Sequence, residues 1–200
     1  MIKVCMFDMG GVLVRDFLVA PKLLPYLGRR ESGFSGISPL IKQALISHSK
    51  GELTEQEFWS IYERITNSEV PHDETSLLAK FFAPKLDLPT LKILSELKNR
   101  GARIICGTNV HDAHYSIHQA LHQYDIFDQV YASHLMHCAK PDGAFFRTIL
   151  QQEQVKPDEM FFTDDMQENV LSAQTEGLAA YLYTGADQLR SQLCTLGLLS

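Results

Sequence analysis

The chain has 200 residues, 45% of them hydrophobic and 21% charged, with a net charge of −6. That length suits one domain, or one domain carrying a modest insertion, and the composition excludes a wholly disordered chain. The acidic balance argues against nucleic acid or an anionic membrane surface as the partner, and no apolar run approaches the ~20 residues that span a bilayer. The opening run Met1 to Phe7 meets Asp8 too early for a secretory leader, so a soluble cytoplasmic protein is expected. Cys5, Cys106, Cys138 and Cys194 are far apart and form no C-x-x-C pair, which signals neither a zinc knuckle nor a disulfide framework. Cys5 and Cys106 sit in apolar runs, where cysteine acts as a small buried hydrophobe.

In chain order, the run Lys3 to Phe7 ends at Asp8 and Gly10-Gly11, the pattern of a buried strand entering a tight turn. Between Asp16 and about Pro84 the pattern is helical, with breaks expected at Gly33 to Ser38, Lys50-Gly51 and Val70 to Asp73. One helix there is well marked: Thr54 as N-cap, Glu57 three residues on, then Phe58, Ile61, Tyr62 and Ile65 on one face. Pro89 opens a further helix carrying Leu91, Leu94 and Leu97, which Gly101 closes. Strands and helices then alternate: a strand Ala102 to Cys106, a helix from about His111 to Tyr124, a strand Gln129 to Tyr131 and a helix holding Phe145, Ile149 and Leu150. A strand Met160 to Thr163, a helix Gln167 to Glu176, a strand Ala179 to Tyr183 and a helix from near Asp187 complete the chain. Short apolar strands alternating with helices give an α/β fold, a Rossmann-like parallel sheet covered on both faces. The expected organisation is a core of residues 1–15 and 85–200, with a small helical cap of residues 16–84 inserted between the first two strands of the main sheet.

Ligands of an open parallel sheet bind beyond the carboxyl ends of its strands. Polar residues follow four strands in turn: Asp8; Thr108 and Asn109; Lys140-Pro141; and Asp164-Asp165, with Asn169 on the next helix. One ammonium, three carboxylates and a hydroxyl would meet at one edge. A carboxylate is a competent nucleophile toward phosphorus. Mg²⁺ on oxygen ligands, a fixed ammonium, a hydroxyl and backbone N–H groups can offset the charge of a phosphoryl group.

The segments Phe7-Asp8-Met9-Gly10-Gly11-Val12-Leu13, Gly107-Thr108-Asn109, Ala139-Lys140-Pro141 and Phe162-Thr163-Asp164-Asp165 with Asn169 resemble the four ordered motifs of the haloacid dehalogenase-like hydrolase superfamily. The inserted helices stand in the place of that superfamily's first-type cap. Within it, Lys50-Gly51-Glu52-Leu53-Thr54 and the Asp-Asp-x-x-x-Asn ending are similar to a small bacterial subgroup that includes α-D-glucose-1-phosphate phosphatase. The resemblance implies a Mg²⁺-dependent phosphohydrolase acting on a small phosphorylated metabolite, a sugar phosphate among the candidates. It implies Asp8 as nucleophile and metal ligand, the Gly10 carbonyl as a second ligand, Asp165 as the direct metal carboxylate and Asp164 beside it. It gives Thr108, Asn109 and Gly11 the phosphoryl group, Lys140 the neutralisation of charge, and Asn169 the orientation of Lys140.

One position departs from the pattern. Most phosphatases of the superfamily carry a second Asp two residues after the nucleophile, as leaving-group acid and later base; here it is Gly10. General acid–base catalysis is worth ~10²–10⁴-fold. Three readings stay open: a phosphatase favouring leaving groups that need little protonation, such as anomeric sugar or acyl phosphates; a haloacid dehalogenase; and a phosphate-binding protein without turnover. Asp164-Asp165 weighs against the second, and retention of Asp8, Lys140 and Asp165 against the third.

Other residues read as structural. His114, His118 and His122 fall on one helix face at i, i+4 and i+8, expected to be solvated, while His111 lies near the strand-end cluster. Arg15, Asp16 and Phe17 read as a hinge that lies near enough to touch substrate. Trp59, Tyr62 and the Phe pairs at 81–82, 145–146 and 161–162 read as packing.

Overall fold

The computed structural model describes residues 1–71 and 76–200; the expected break at Val70 to Asp73 therefore lies partly outside the described residues. Strand β1 (Val4–Phe7) is followed by the two-residue strand β2 (Val14–Arg15). Four helices come next: α1 (Ala20–Tyr26), α2 (Phe34–Ile37), α3 (Pro39–Ser49) and α4 (Glu55–Thr66). The chain returns through β3 (Lys85–Leu86), which pairs antiparallel with β2. It continues as α5 (Leu88–Asn99), β4 (Arg103–Thr108), α6 (Asp112–Ala120), β5 (Gln129–Ala132) and α7 (Ser133–Met136). Helix α8 (Gly143–Glu153), β6 (Met160–Asp164), α9 (Gln167–Thr175), β7 (Ala179–Leu182) and α10 (Ala186–Thr195) complete it.

The main sheet is parallel, in the order β5-β4-β1-β6-β7. Its central strands are buried along almost their whole length, which is why they appear in the sequence as continuous apolar runs rather than alternating ones. The pleat sends Cys5 and Phe7 into one core layer with Leu94, Leu97 and Leu193, and Val4 and Met6 into the other with Phe145, Phe146 and Phe162. A third apolar cluster, including Leu23, Phe34, Phe58, Trp59 and Tyr62, lies within the inserted helices.

Local signals explain the helix boundaries. Thr54 accepts from the Glu57 N–H at 3.2 Å, and Glu57 accepts from the Thr54 N–H at 2.7 Å, closing the capping box expected there. Asp87 caps α5, accepting from the Thr90 N–H at 3.2 Å, with Pro89 in the first turn. Helix α6 stops at Ala120 rather than running on to Tyr124. His122 adopts a left-handed φ of 56° and the chain turns back, burying Tyr124 and Phe127 in the core. Helix α7 and the β2–β3 ribbon were not expected from the sequence.

The ribbon joins the segment that follows β1 to the segment that precedes α5, and polar contacts fix it. Arg15 donates to the Gly11 carbonyl and, at 3.1 Å, to the Tyr183 hydroxyl. Asp16 pairs with Lys85 at 2.8 Å. Among the described residues no helix is long and apolar enough to cross a membrane.

Candidate active site

The sheet reverses its winding direction at β1: the chain steps out to β4 and β5, then crosses back to β6 and β7. Such switch points leave a crevice beyond the strand ends. Phe7 is in register with Cys106 on one side and Thr163 on the other. One residue further on, Asp8 is level with Gly107 and Asp164, and its own N–H donates to the Thr163 carbonyl at 3.0 Å. The parallel ladder therefore aligns residues that are far apart in the chain.

Lys140 is the electrostatic centre. Its Nζ donates to Asp8 Oδ1 at 2.7 Å and Asp164 Oδ2 at 2.6 Å, with the ammonium almost fully buried. Burial alone would disfavour that charge, but the carboxylates of Asp164 and Asp8 outweigh it and hold the ammonium above its ordinary value. Asp164 is saturated with donors: Lys140, the Met166 N–H at 2.8 Å, and Asn169 Nδ2 at 3.0 and 3.1 Å. Burial pushes the Asp8 carboxyl up to about 7, with Lys140 opposing the shift and the charge of Asp164 adding to it. Asp165 is also raised, by burial first and Asp164 second.

Oxygen atoms of Asp8, Asp164 and Asp165 lie within 4.8 Å of one another. Three carboxylates against one ammonium leave a net negative, oxygen-only donor set, which suits a hard divalent cation such as Mg²⁺. Gly11 adds a steric condition. A Cβ there would lie 2.0 Å from Asp165 Oδ2, and the backbone φ is +78°, so only glycine leaves that carboxylate in place.

A cavity of about 370 Å³ opens over these groups, lined among others by Asp8, Gly10, Thr108, Asn109, Lys140 and Asp165. Of the expected site residues, Asp8, Gly10, Thr108, Asn109, Lys140, Asp165 and Asn169 line it, and Gly11 and Asp164 do not. The Asn109 amide is engaged at both ends by the backbone of Lys140, so its side chain positions the lysine loop rather than reaching for a phosphoryl group. The Gly11 N–H donates to the Val14 carbonyl at 3.0 Å, so Gly11 contributes space rather than a donor. At Gly10 a Cβ would meet the Phe17 ring at 3.0 Å. Phe17 is thus the side chain against which any substituent at residue 10 would pack.

The expectation of a solvated histidine face is also corrected. His122 is exposed, but His118 is 4% exposed and His114 half-buried, and both line the cavity. His114 stacks on Phe82, with ring centroids 3.6 Å apart, and donates through Nε2 to the Leu78 carbonyl at 2.9 Å. His118 donates to Gln123 at 2.6 Å, and Gln123 in turn to the Pro84 carbonyl at 3.0 Å. Burial takes the His114 imidazole down to about 4, depresses His118 as well, and holds His111 well below the usual range with His114 and His48 beside it. The i, i+4 spacing of His114 and His118, directly downstream of a strand end, was the signal that could have placed them at the site.

Three comparisons bear on this arrangement. Residues 2–177 match the family model described as haloacid dehalogenase-like hydrolase. The chain therefore belongs to the haloacid dehalogenase-like hydrolase family. It is 25% identical over 191 residues to a sesquiterpene phosphatase of Aspergillus oryzae, covering 88% of this chain and 87% of that one. In fold it is similar to a predicted hydrolase of the same family from Porphyromonas gingivalis (TM-score 0.77, 20% identity, 98% of each chain). It is also similar to a family enzyme of Bacteroides thetaiotaomicron solved with magnesium and inorganic phosphate (TM-score 0.71, 23% identity, 91% of this chain and 94% of that one).

Proposed function

We propose that the protein is a Mg²⁺-dependent phosphohydrolase acting on a small phosphorylated metabolite through an aspartyl-phosphate on Asp8. The observation that carries this reading is the buried Lys140 ammonium, 2.7 Å from Asp8 and 2.6 Å from Asp164. A lone structural aspartate needs no such partner, whereas a carboxylate that must attack an anionic phosphoryl group does. The phosphatase activity in the name of the Aspergillus oryzae relative and the magnesium and phosphate held by the Bacteroides thetaiotaomicron enzyme support it.

In this reading Asp8, Asp165, the Gly10 carbonyl and Asp164 hold the metal, directly or through water. The metal, when bound, offsets phosphoryl charge. An Asp8 carboxylate oxygen forms the new bond to phosphorus while the bond to the leaving oxygen breaks. Water then attacks phosphorus, the bond to Asp8 breaks, and inorganic phosphate leaves with the carboxylate restored. Thr108 and the backbone at Asn109 bind phosphoryl oxygens, Lys140 neutralises charge, and Asn169 fixes Asp164, which in turn fixes Lys140. Gly10 supplies no acid, so leaving oxygens of low pKa are favoured. Residues 16–84 act as the cap, excluding bulk water from the site.

The test is phosphate release from acetyl phosphate and a panel of sugar phosphates, with Mg²⁺ or with EDTA, beside Asp8→Asn. Release that needs both Mg²⁺ and Asp8 is expected. Release that survives the substitution, or none from any substrate, overturns the reading.

A further inference from the structure

A second cavity, of about 340 Å³, adjoins the first between the inserted helices and the core, sharing with it Phe17, Leu18, Asn109, Val110 and His114. Its volume is within the range of small-molecule sites. Buried Val19, Phe34, Leu78 and Val110 form its walls, and Leu18 and Ile46, 62% and 36% exposed, stand as apolar side chains at its rim. No Asp, Glu, Lys or Arg lines it among the described residues.

The polar groups that do line it are largely committed to the protein. Both ends of the Asn109 amide hold the Lys140 backbone. The Ser49 hydroxyl donates to the Ile46 carbonyl at 2.8 Å, and His114 Nε2 donates to the Leu78 carbonyl at 2.9 Å. His111 Nδ1 is buried without a partner, and one nitrogen cannot serve the several hydroxyls of a sugar. A polyol seated here would lose water contacts without replacing them. A hydrocarbon body would lose only its apolar hydration, which favours burial.

We infer that the substrate joins its phosphoryl group to an aliphatic body, and that this body occupies the second chamber while the phosphoryl group faces Asp8 in the first. This deepens the phosphohydrolase reading and rests on it. Phe17 is the shared wall: it covers Gly10 on the catalytic side and is apolar surface on the other. A mixed anhydride between phosphate and an aliphatic acid meets both this condition and the low-pKa leaving group that Gly10 demands; a sugar 1-phosphate meets only the second.

The experiment is calorimetric binding of methyl- through octylphosphonate in the presence of Mg²⁺, with the non-hydrolysable C-glucosyl phosphonate as the polyol comparison. Phosphonates are not turned over, so the readout does not depend on catalysis. Kd should tighten up to about fourfold for each methylene that becomes buried (about 0.8 kcal/mol) and then level off as the chamber fills. Ile46→Glu and Leu18→Glu change rim residues whose exposure spares the fold, and each should flatten that slope. A series independent of chain length, or the glucosyl phosphonate binding more tightly than octylphosphonate, overturns the inference. Mg²⁺-dependent release from acetyl phosphate with a flat series would leave the phosphohydrolase reading standing alone; a steep series without release from any substrate would sink the catalytic reading and keep the chamber's chemistry.

Discussion

Asn109 clasps Lys140 with both ends of its amide: Nδ2 donates to the Lys140 carbonyl at 2.7 Å, and the Lys140 N–H donates to Oδ1 at 2.9 Å. The end of β4 and the lysine loop are thereby locked at one separation, and with them the distance between Asp8 and the ammonium. Asn109→Ala removes both bonds. A displacement of about 1 Å at a reacting centre costs on the order of 10²-fold, so kcat for phosphate release should fall by about that factor with much less effect on KM. Steady-state kinetics beside a thermal melt would check this; a variant with unchanged kcat would remove Asn109 from the positioning machinery.

Lys140→Met leaves Asp8 and Asp164 buried without their shared cation. Removing one partner of a buried ion pair costs about 3–5 kcal/mol, and urea unfolding should show a loss of that order. Adding Asp8→Asn to Lys140→Met should recover part of it, because one orphaned charge is then gone. A single variant within about 1 kcal/mol of wild type would contradict the electrostatic role given to this lysine.

Mg²⁺ should raise the melting temperature in the absence of substrate. A ligand at 100 times its Kd stabilises by about 2.7 kcal/mol. Asp165→Asn should remove most of that gain, and so should Gly11→Ala, whose methyl group would sit 2.0 Å from Asp165 Oδ2. Retention of the full Mg²⁺-dependent shift in both variants would exclude Asp165 from the metal site.

His114 predicts a dependence of stability on pH. Its imidazole lies at about 4 in the folded protein and about 6.5 when unfolded. Between these values the unfolded chain binds more protons, so stability is full above pH 6.5 and declines as the pH falls toward 4, by about 2–3 kcal/mol for this group. Asp8, raised to about 7, has the opposite sign over the range below neutrality. The informative quantity is therefore the difference between wild type and His114→Gln in denaturant unfolding at pH 7.5 and pH 5. The variant should lose less stability on acidification; equal losses would show that His114 is not held neutral.

The sheet and the carboxylate cluster were legible in the sequence for one reason. Buried parallel strands appear as unbroken apolar runs, and each run from Val4, Ile104 and Met160 onward ends in its polar residue at the same edge. Thr54 with Glu57 was equally legible because a capping box is local. The β2–β3 ribbon was not: Val14 and Leu86 pair across the whole helical insertion, and two residues per strand carry no periodicity. The histidines failed for a related reason. A neutral imidazole tolerates burial, and whether His114 meets water depends on Phe82 arriving from the inserted segment, a contact that no window on α6 contains. Asn109 was assigned a role by resemblance alone; its engagement by Lys140 depends on a loop 31 residues away.

The contact between Phe17 and Gly10 also constrains how this protein can change. A Cβ at residue 10 would come within 3.0 Å of the Phe17 ring, so Gly10→Asp requires that ring to give by a few tenths of an ångström, while shrinking Phe17 alone opens a void in the chamber wall. The two positions are coupled: the room available at residue 10 depends on the side chain at residue 17. Selection for activity on poor leaving groups would therefore act on residues 10 and 17 as a pair, because an acid introduced at residue 10 has to share space with the wall of the apolar chamber.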